Sequence, residues 1–224
     1  MQAVGHLQYL QNTLFPELSY SVKVASKFNK APCKMAWIWI KEIMAWLKGQ
    51  TWAPYIIKGG APDKMYLSSW SDSNHAKDPD HRKSLGGHII RLWDDLIDYG
   101  SCTQQIVSHS AAESELMALD VCVRRTQYMV WLVESMGAPK QGAVKVYIDC
   151  ASVIDWACSP INPTRNCHVH ARFFYVRDMQ NAGIVVLIKV ASAKNWSDLM
   201  VTFKGKENFQ FLSVGVKEGR AFIL

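Results

Sequence analysis

The chain has 224 residues, 49% of them hydrophobic, enough apolar surface for one substantial core with a smaller unit appended. Its 25 basic against 19 acidic side chains leave a formal charge of +6, which suits a polyanionic partner but is too modest to establish one. Cysteines spaced singly at 33, 102, 122, 150, 158 and 167 argue against a disulfide scaffold; with no leader and no long apolar run, they predict free thiols in a soluble, intracellular chain.

Residues 1 to about 50 predict mostly helix. The stretch 31–49 has Pro32 near its start and Gly49 at its stop, with Ala36, Trp39, Ile43 and Trp46 on one face. Trp37, Trp39 and Trp46 invite a base-stacking role, but the spacing favours a helix packed on a neighbouring domain. Beyond residue 51 the period changes. Short apolar runs at 64–71, 86–93, 95–101, 143–149 and 184–190 predict strands, with Trp93-Asp94-Asp95 as a hairpin turn. A long helix is expected over 110–137, two more near 151–158 and 165–182, and a short one near 196–203. Three tightly connected strands followed by alternating helices and strands indicate an α/β fold, a mixed sheet covered on both faces. Lys204-Gly205-Lys206-Glu207-Asn208 is a polar break before a short apolar tail.

Four acids fall where surface charge explains them poorly. Asp72 ends the first predicted strand and Asp149 the fourth, and such strand ends face the crevice where α/β sheets bind ligands. Glu115 opens the long helix ahead of the core-facing positions Leu119 and Cys122, and Asp198 lies in the late short helix. Two unit charges about 4 Å apart repel by roughly 4 kcal/mol at an effective dielectric near 20. A divalent cation cancels that repulsion, and an all-oxygen ligand set suits Mg²⁺ or Mn²⁺ rather than Zn²⁺. Two such ions suit the in-line displacement that cuts a phosphodiester.

The segments carrying these acids are Trp70-Ser71-Asp72-Ser73-Asn74 with Asp80-His81-Arg82-Lys83-Ser84, Glu113-Ser114-Glu115-Leu116-Met117-Ala118-Leu119, Asp149-Cys150-Ala151-Ser152-Val153-Ile154 and Ser197-Asp198-Leu199-Met200. Arg165-Asn166-Cys167-His168-Val169-His170 precedes an aromatic helix, and Gly5-His6-Leu7-Gln8-Tyr9-Leu10 and Trp46-Leu47-Lys48-Gly49 stand upstream. In this order they resemble the ribonuclease H domain at the carboxyl end of copia-type LTR retrotransposon Pol polyproteins. The resemblance implies a ribonuclease H-like mixed five-stranded sheet with helices on both faces, preceded by a small helical segment. It divides the chain into a connection to the reverse transcriptase (1–55), the ribonuclease H-like domain (60–205) and a tail (206–224). The implied activity is metal-dependent hydrolysis of the RNA strand of RNA–DNA hybrids, with two Mg²⁺ (or Mn²⁺) held by Asp72, Glu115, Asp149 and Asp198. His168 is implied as a catalytic helper, and Arg82, Lys83, Arg165 and Arg172 as phosphate contacts. The implied partners are the hybrid and the polymerase palm of the same polyprotein, in cytoplasmic virus-like particles or in the nucleus.

Departures stand beside the likeness. The usual second Asp is Asn74, the Asn-Gln after the third acid is Cys150-Ala151, and the Lys before the family His is Cys167. They keep open an alternative: a catalytically inactive, diverged or domesticated domain that binds nucleic acid or tethers a polymerase. A zinc module of Cys158, Cys167, His168 and His170 lacks paired ligand spacing, and an integrase-like site would place its Glu last rather than second.

Overall fold

The computed structural model describes residues 2–50, 57–61, 65–78, 80–138, 142–158 and 167–218. Its strands are β1 (Leu67–Asn74), β2 (Leu85–Leu92), β3 (Asp95–Thr103), β4 (Val144–Ile148) and β5 (Val185–Lys189). They form one sheet in the order β3-β2-β1-β4-β5, with β1, β2 and β3 antiparallel and β4 and β5 running parallel to β1. This is the mixed five-stranded sheet that the sequence led us to expect. The predicted hairpin turn is present, with Trp93 at φ 53°. The first strand runs three residues further than its apolar run. The sequence ends this strand at Asp72, yet Ser73 and Asn74 continue the pairing with Gly86 and Leu85 and lie beneath other elements.

Among the described residues seven α-helices accompany the sheet: α1 (Gln2–Thr13), α2 (Ser19–Ser26), α3 (Lys34–Lys48), α4 (Ala111–Ser135), α5 (Ala151–Cys158), α6 (Cys167–Asn181) and α7 (Lys206–Glu218). Alternation along the strands splits the core in two. On one face Leu67, Ile90, Val144, Val146 and Leu187 pack against Leu116, Leu119 and Val123 of α4, with Val153 and Val176. On the other, Trp70 stacks between Tyr147 and Trp196, beside Ile89, Leu199, Met200, Leu212 and Val216. Helices α1 to α3 have a third core, built from Val4, Leu7, Leu18, Val22, Ile40 and Ile43. The expected face of α3 is the packed one, and Trp37 is left 53% exposed on the outside.

The residues after 205, expected as a tail, include a docked helix. Arg91, buried in the sheet, donates to the carbonyls of Gly215 and Val216 at 2.9 and 3.0 Å. These belong to the last turn of α7, where helix carbonyls lack intrahelical partners. The same guanidinium lies over the Trp196 ring. Lys217 of α7 pairs with buried Glu17 at 2.5 Å, and the Tyr99 hydroxyl donates to the Gln11 carbonyl, so the small helical unit is tied to both α7 and β3. The polar start Lys206-Glu207-Asn208 concealed this helix, leaving its later apolar residues to read as a tail. No helix among the described residues is long and apolar enough to cross a membrane.

Candidate metal centre

Strand pairing brings the first two acids together. In the parallel ladder Ser68 pairs with Lys145 and Trp70 with Tyr147. Carried on two residues, that register sets Asp72 opposite Asp149, just past the end of β4. Asp72 itself is buried, two residues short of the end of β1.

The long helix supplies the third. Ser110 caps α4, its hydroxyl accepting from the Glu113 N–H at 3.1 Å, and Glu113 reaches back to accept from the His109 N–H at 2.6 Å. This reciprocal arrangement is close to a capping box. It occupies Glu113 and leaves the other glutamate of Glu113-Ser114-Glu115 for the sheet. Ser73, the residue after Asp72, donates to Glu115 Oε1 at 2.8 Å. One ligand atom each from Asp72, Glu115 and Asp149 thus lie within 4.8 Å of one another, the one such cluster of potential metal ligands among the described residues.

Asp198 stands beside this trio rather than in it. It sits in a 3₁₀ turn, Trp196–Met200, that crosses the sheet face at β2. Asn195 donates to the Ser71 carbonyl at 3.0 Å, and Asn74 donates to the Val201 carbonyl at 2.9 Å, fastening the turn to β1 at both ends. Gly87, the cross-strand partner of Asp72, makes the approach possible: a Cβ there would lie 2.6 Å from Met200 Cβ and 2.8 Å from Val201 Cγ1. The Asp198 carboxylate is bonded to the Lys204 ammonium.

The electrostatics follow from burial and proximity. Burial above all, then Glu115, Asp149 and Asp198, holds the Asp72 carboxyl well above the usual carboxylate range. Burial raises Glu115 to about 7, with Asp149 and Asp198 adding to the rise and the Ser73 hydrogen bond opposing it. At Asp72 and Glu115 the neutral carboxyl is thereby favoured over the carboxylate, a preference that a bound cation would reverse. The donor set is all oxygen, which fits a hard divalent ion. Among the described residues Lys204 is the one cation paired with a carboxylate of the four acids, and the Lys189 ammonium donates to the Asp149 backbone carbonyl.

The other expected site residues are dispersed. Lys83 lies in a cleft between α2 and the β1–β2 turn, and Arg82 is exposed in that turn at φ 53°. Arg172 lies 3.6 Å from buried Asp120 of α4, in a polar hollow with Gln104 and Arg124. His168 is the second residue of α6, but its side chain, like those of Cys167 and His170, lies outside what is described; so does Arg165. Sequence reasoning missed Ser73, Asn195 and Gly87. The signal for Ser73 and Gly87 is a small residue at a strand position where an apolar one is expected, and for Asn195 a polar residue before a short helical turn, each ambiguous without the partner element.

No protein-family model matches the chain. Its sequence is 27% identical over 211 residues to the "Retrovirus-related Pol polyprotein from transposon TNT 1-94" of Nicotiana tabacum, covering 93% of this chain and 15% of that protein. The RE2 transposon polyprotein of Arabidopsis thaliana is 25% identical over 94% of this chain and 14% of its own length. A "Secreted RxLR effector protein 161" of Plasmopara viticola is 32% identical, over 59% of this chain and 89% of that protein. The chain's homologues over 93% of its length are copia-type retrotransposon Pol polyproteins.

It spans only about one seventh of the family polyproteins it matches. Among solved structures, RNase H1 from Halobacterium salinarum NRC-1 aligns over 61% of this chain and 94% of its own, with 13% identity and a TM-score of 0.47. LC11-RNase H1 in complex with an RNA/DNA hybrid aligns over 60% and 93%, with 13% identity and a TM-score of 0.46. Where the family's second Asp stands, Asn74 here fastens the Val201 carbonyl, a structural use that an acid could not serve as donor.

Proposed function

We propose that the chain is a divalent-cation-dependent ribonuclease that hydrolyses the RNA strand of RNA–DNA hybrids during retrotransposon reverse transcription. The carrying observation is the meeting of Asp72, Glu115 and Asp149 within 4.8 Å at the edge of the β1–β4 pair. Homology to retrotransposon Pol polyproteins supplies the context. Asp72, Glu115, Asp149 and Asp198 would hold two Mg²⁺ (or Mn²⁺), which when bound supply charge neutralisation and a polarised phosphodiester.

The chain's own residues do the rest. Ser73 orients Glu115, burial of Asp72 keeps its carboxylate out of bulk water, and the Asn195 and Asn74 fastenings fix the turn that carries Asp198. Cleavage in this reading leaves 5′-phosphate and 3′-hydroxyl ends, with recognition through 2′-hydroxyls and hybrid shape. Arg82, Lys83, Arg165 and Arg172 serve as phosphate contacts and His168 as a helper. Residues 60–205 form the catalytic unit, and 1–55 join it to the polymerase palm, the tail of that division now including α7. The setting is a virus-like particle in the cytoplasm, or the nucleus.

The test is incubation of the purified chain with a labelled hybrid in millimolar Mg²⁺, beside EDTA, duplex RNA and duplex DNA. Cutting confined to the RNA strand of the hybrid, and lost in EDTA, is the expected result. Binding without cutting would instead favour the inactive nucleic-acid tether.

A further inference from the structure

Four lysines from two separate parts of the chain line one cleft. Lys23 and Lys27 come from α2, in the small helical unit, and Lys77 and Lys83 from the turn between β1 and β2. Four ammonium groups around one hollow repel one another, and the chain offers little there to offset them. Asp78 is the one acid lining the cleft, and its carboxylate accepts from Lys27 at 2.8 Å, an interaction that joins the two parts. Lys23, Lys77 and Lys83 pair with no acid among the described residues. The remaining lining is largely polar: Tyr20, Asn74, Ser84 and Thr103.

The shape narrows the ligand. At about 30 Å³ the cleft is far below the roughly 300 Å³ of a small-molecule site, so what it suits lies across it rather than inside it. The position narrows it further. Asn74 lines the cleft and follows Asp72 by two residues on the same face of β1, about 7 Å along the strand. The cleft therefore adjoins the end of the strand that carries Asp72.

We propose that this cleft binds the sugar–phosphate backbone of the nucleic acid, so that the helical unit contributes Lys23 and Lys27 to one continuous binding track with Lys77 and Lys83. The proposal rests on the nuclease reading for its substrate but not for its charge geometry. Each phosphate contact releases counterions, so removing contacts weakens binding and flattens its salt dependence.

The experiment measures anisotropy of a fluorescein-labelled RNA–DNA hybrid with the full chain in EDTA, from about 50 to about 200 mM KCl. The charge reversals Lys23→Glu and Lys77→Glu are made together, avoiding Lys27 because it pairs with Asp78. The double variant is expected to bind about 10-fold or more weakly, with a log–log salt slope lower by about 2. Lys23→Arg with Lys77→Arg keeps wild-type binding, and so does Lys41→Glu on the exposed side of α3. Wild-type affinity and slope in the double reversal would overturn the proposal. Hybrid cutting by a chain whose binding ignores the reversal would spare the nuclease reading and sink the cleft. Binding that responds to the reversal in a chain that never cuts would do the opposite. A wild-type chain that binds no hybrid overturns both.

Discussion

Asp72 and Asp149 face one another because β1 and β4 run parallel in a register that pairs Trp70 with Tyr147 two residues earlier. Two carboxylates so placed oppose folding until a cation joins them. Asp72→Asn and Asp149→Asn are each expected to reduce Mg²⁺-dependent cleavage by at least about 100-fold, a loss of about 3 kcal/mol of transition-state stabilisation. Both variants are expected to melt no lower than wild type in EDTA, since each removes repulsion. Cleavage kinetics and metal-free melting curves check the two halves separately, and a folded variant that still cuts would show the site to be misassigned.

The two glutamates at the start of α4 should separate cleanly. Glu113→Gln weakens a cap and is expected to cost about 1 kcal/mol of stability while leaving cation binding intact. Glu115→Gln should leave the cap intact and abolish the cation's effect on melting. Thermal melts of both variants with and without millimolar Mg²⁺ decide it; reversed behaviour would exchange the roles.

Stability should depend on pH with a definite sign. Glu115 is raised from 4.5 to about 7 in the folded chain, chiefly by burial, and Asp72 is raised as well. Between those values the folded state holds protons that the unfolded state has released, so stability falls as pH rises. The contribution is complete below about pH 4.5 and gone above about pH 7. The metal-free melting temperature of wild type, taken relative to Glu115→Gln, should therefore drop by about 5 °C across that window. Saturating Mg²⁺ should flatten the drop, because it binds the deprotonated cluster. A difference that rises with pH would contradict the account.

Lys204 holds the Asp198 carboxylate beside the trio. Lys204→Met leaves the four carboxylates with no paired cation among the described residues, so it should lower the melting temperature in EDTA and enlarge the stabilisation by Mg²⁺. Adding Asp198→Asn should cancel both effects. Melting of the single and double variants measures the coupling, and additive effects would show that the pair does not interact.

Gly87→Ala drives a methyl into Met200 and Val201 beneath the turn carrying Asp198. A cost of about 1–3 kcal/mol is expected from this overpacking, read as a lower denaturation midpoint. A variant as stable as wild type would mean that the turn is free to lift from β2.

Much of this was legible in the residues. The apolar runs located all five strands, and the ordered acids identified the trio, because strand ends and a capped helix start constrain where carboxylates point. Three things were not legible. The last two residues of β1, Ser73 and Asn74, lie past the strand end expected at Asp72 because their partners come from α4 and Val201, far along the chain. Helix α7 depends on Arg91, which a sequence presents as ordinary surface charge. The offset of Asp198 from the trio follows from a bond to Lys204 six residues on, which no spacing rule predicts.

Calorimetric titration of the purified chain with Mn²⁺ puts the arrangement to its most immediate test. Saturable binding in wild type, lost in Asp72→Asn, Glu115→Gln and Asp149→Asn alike while all three stay folded, is the predicted result. Equal heats in wild type and the three variants would contradict it.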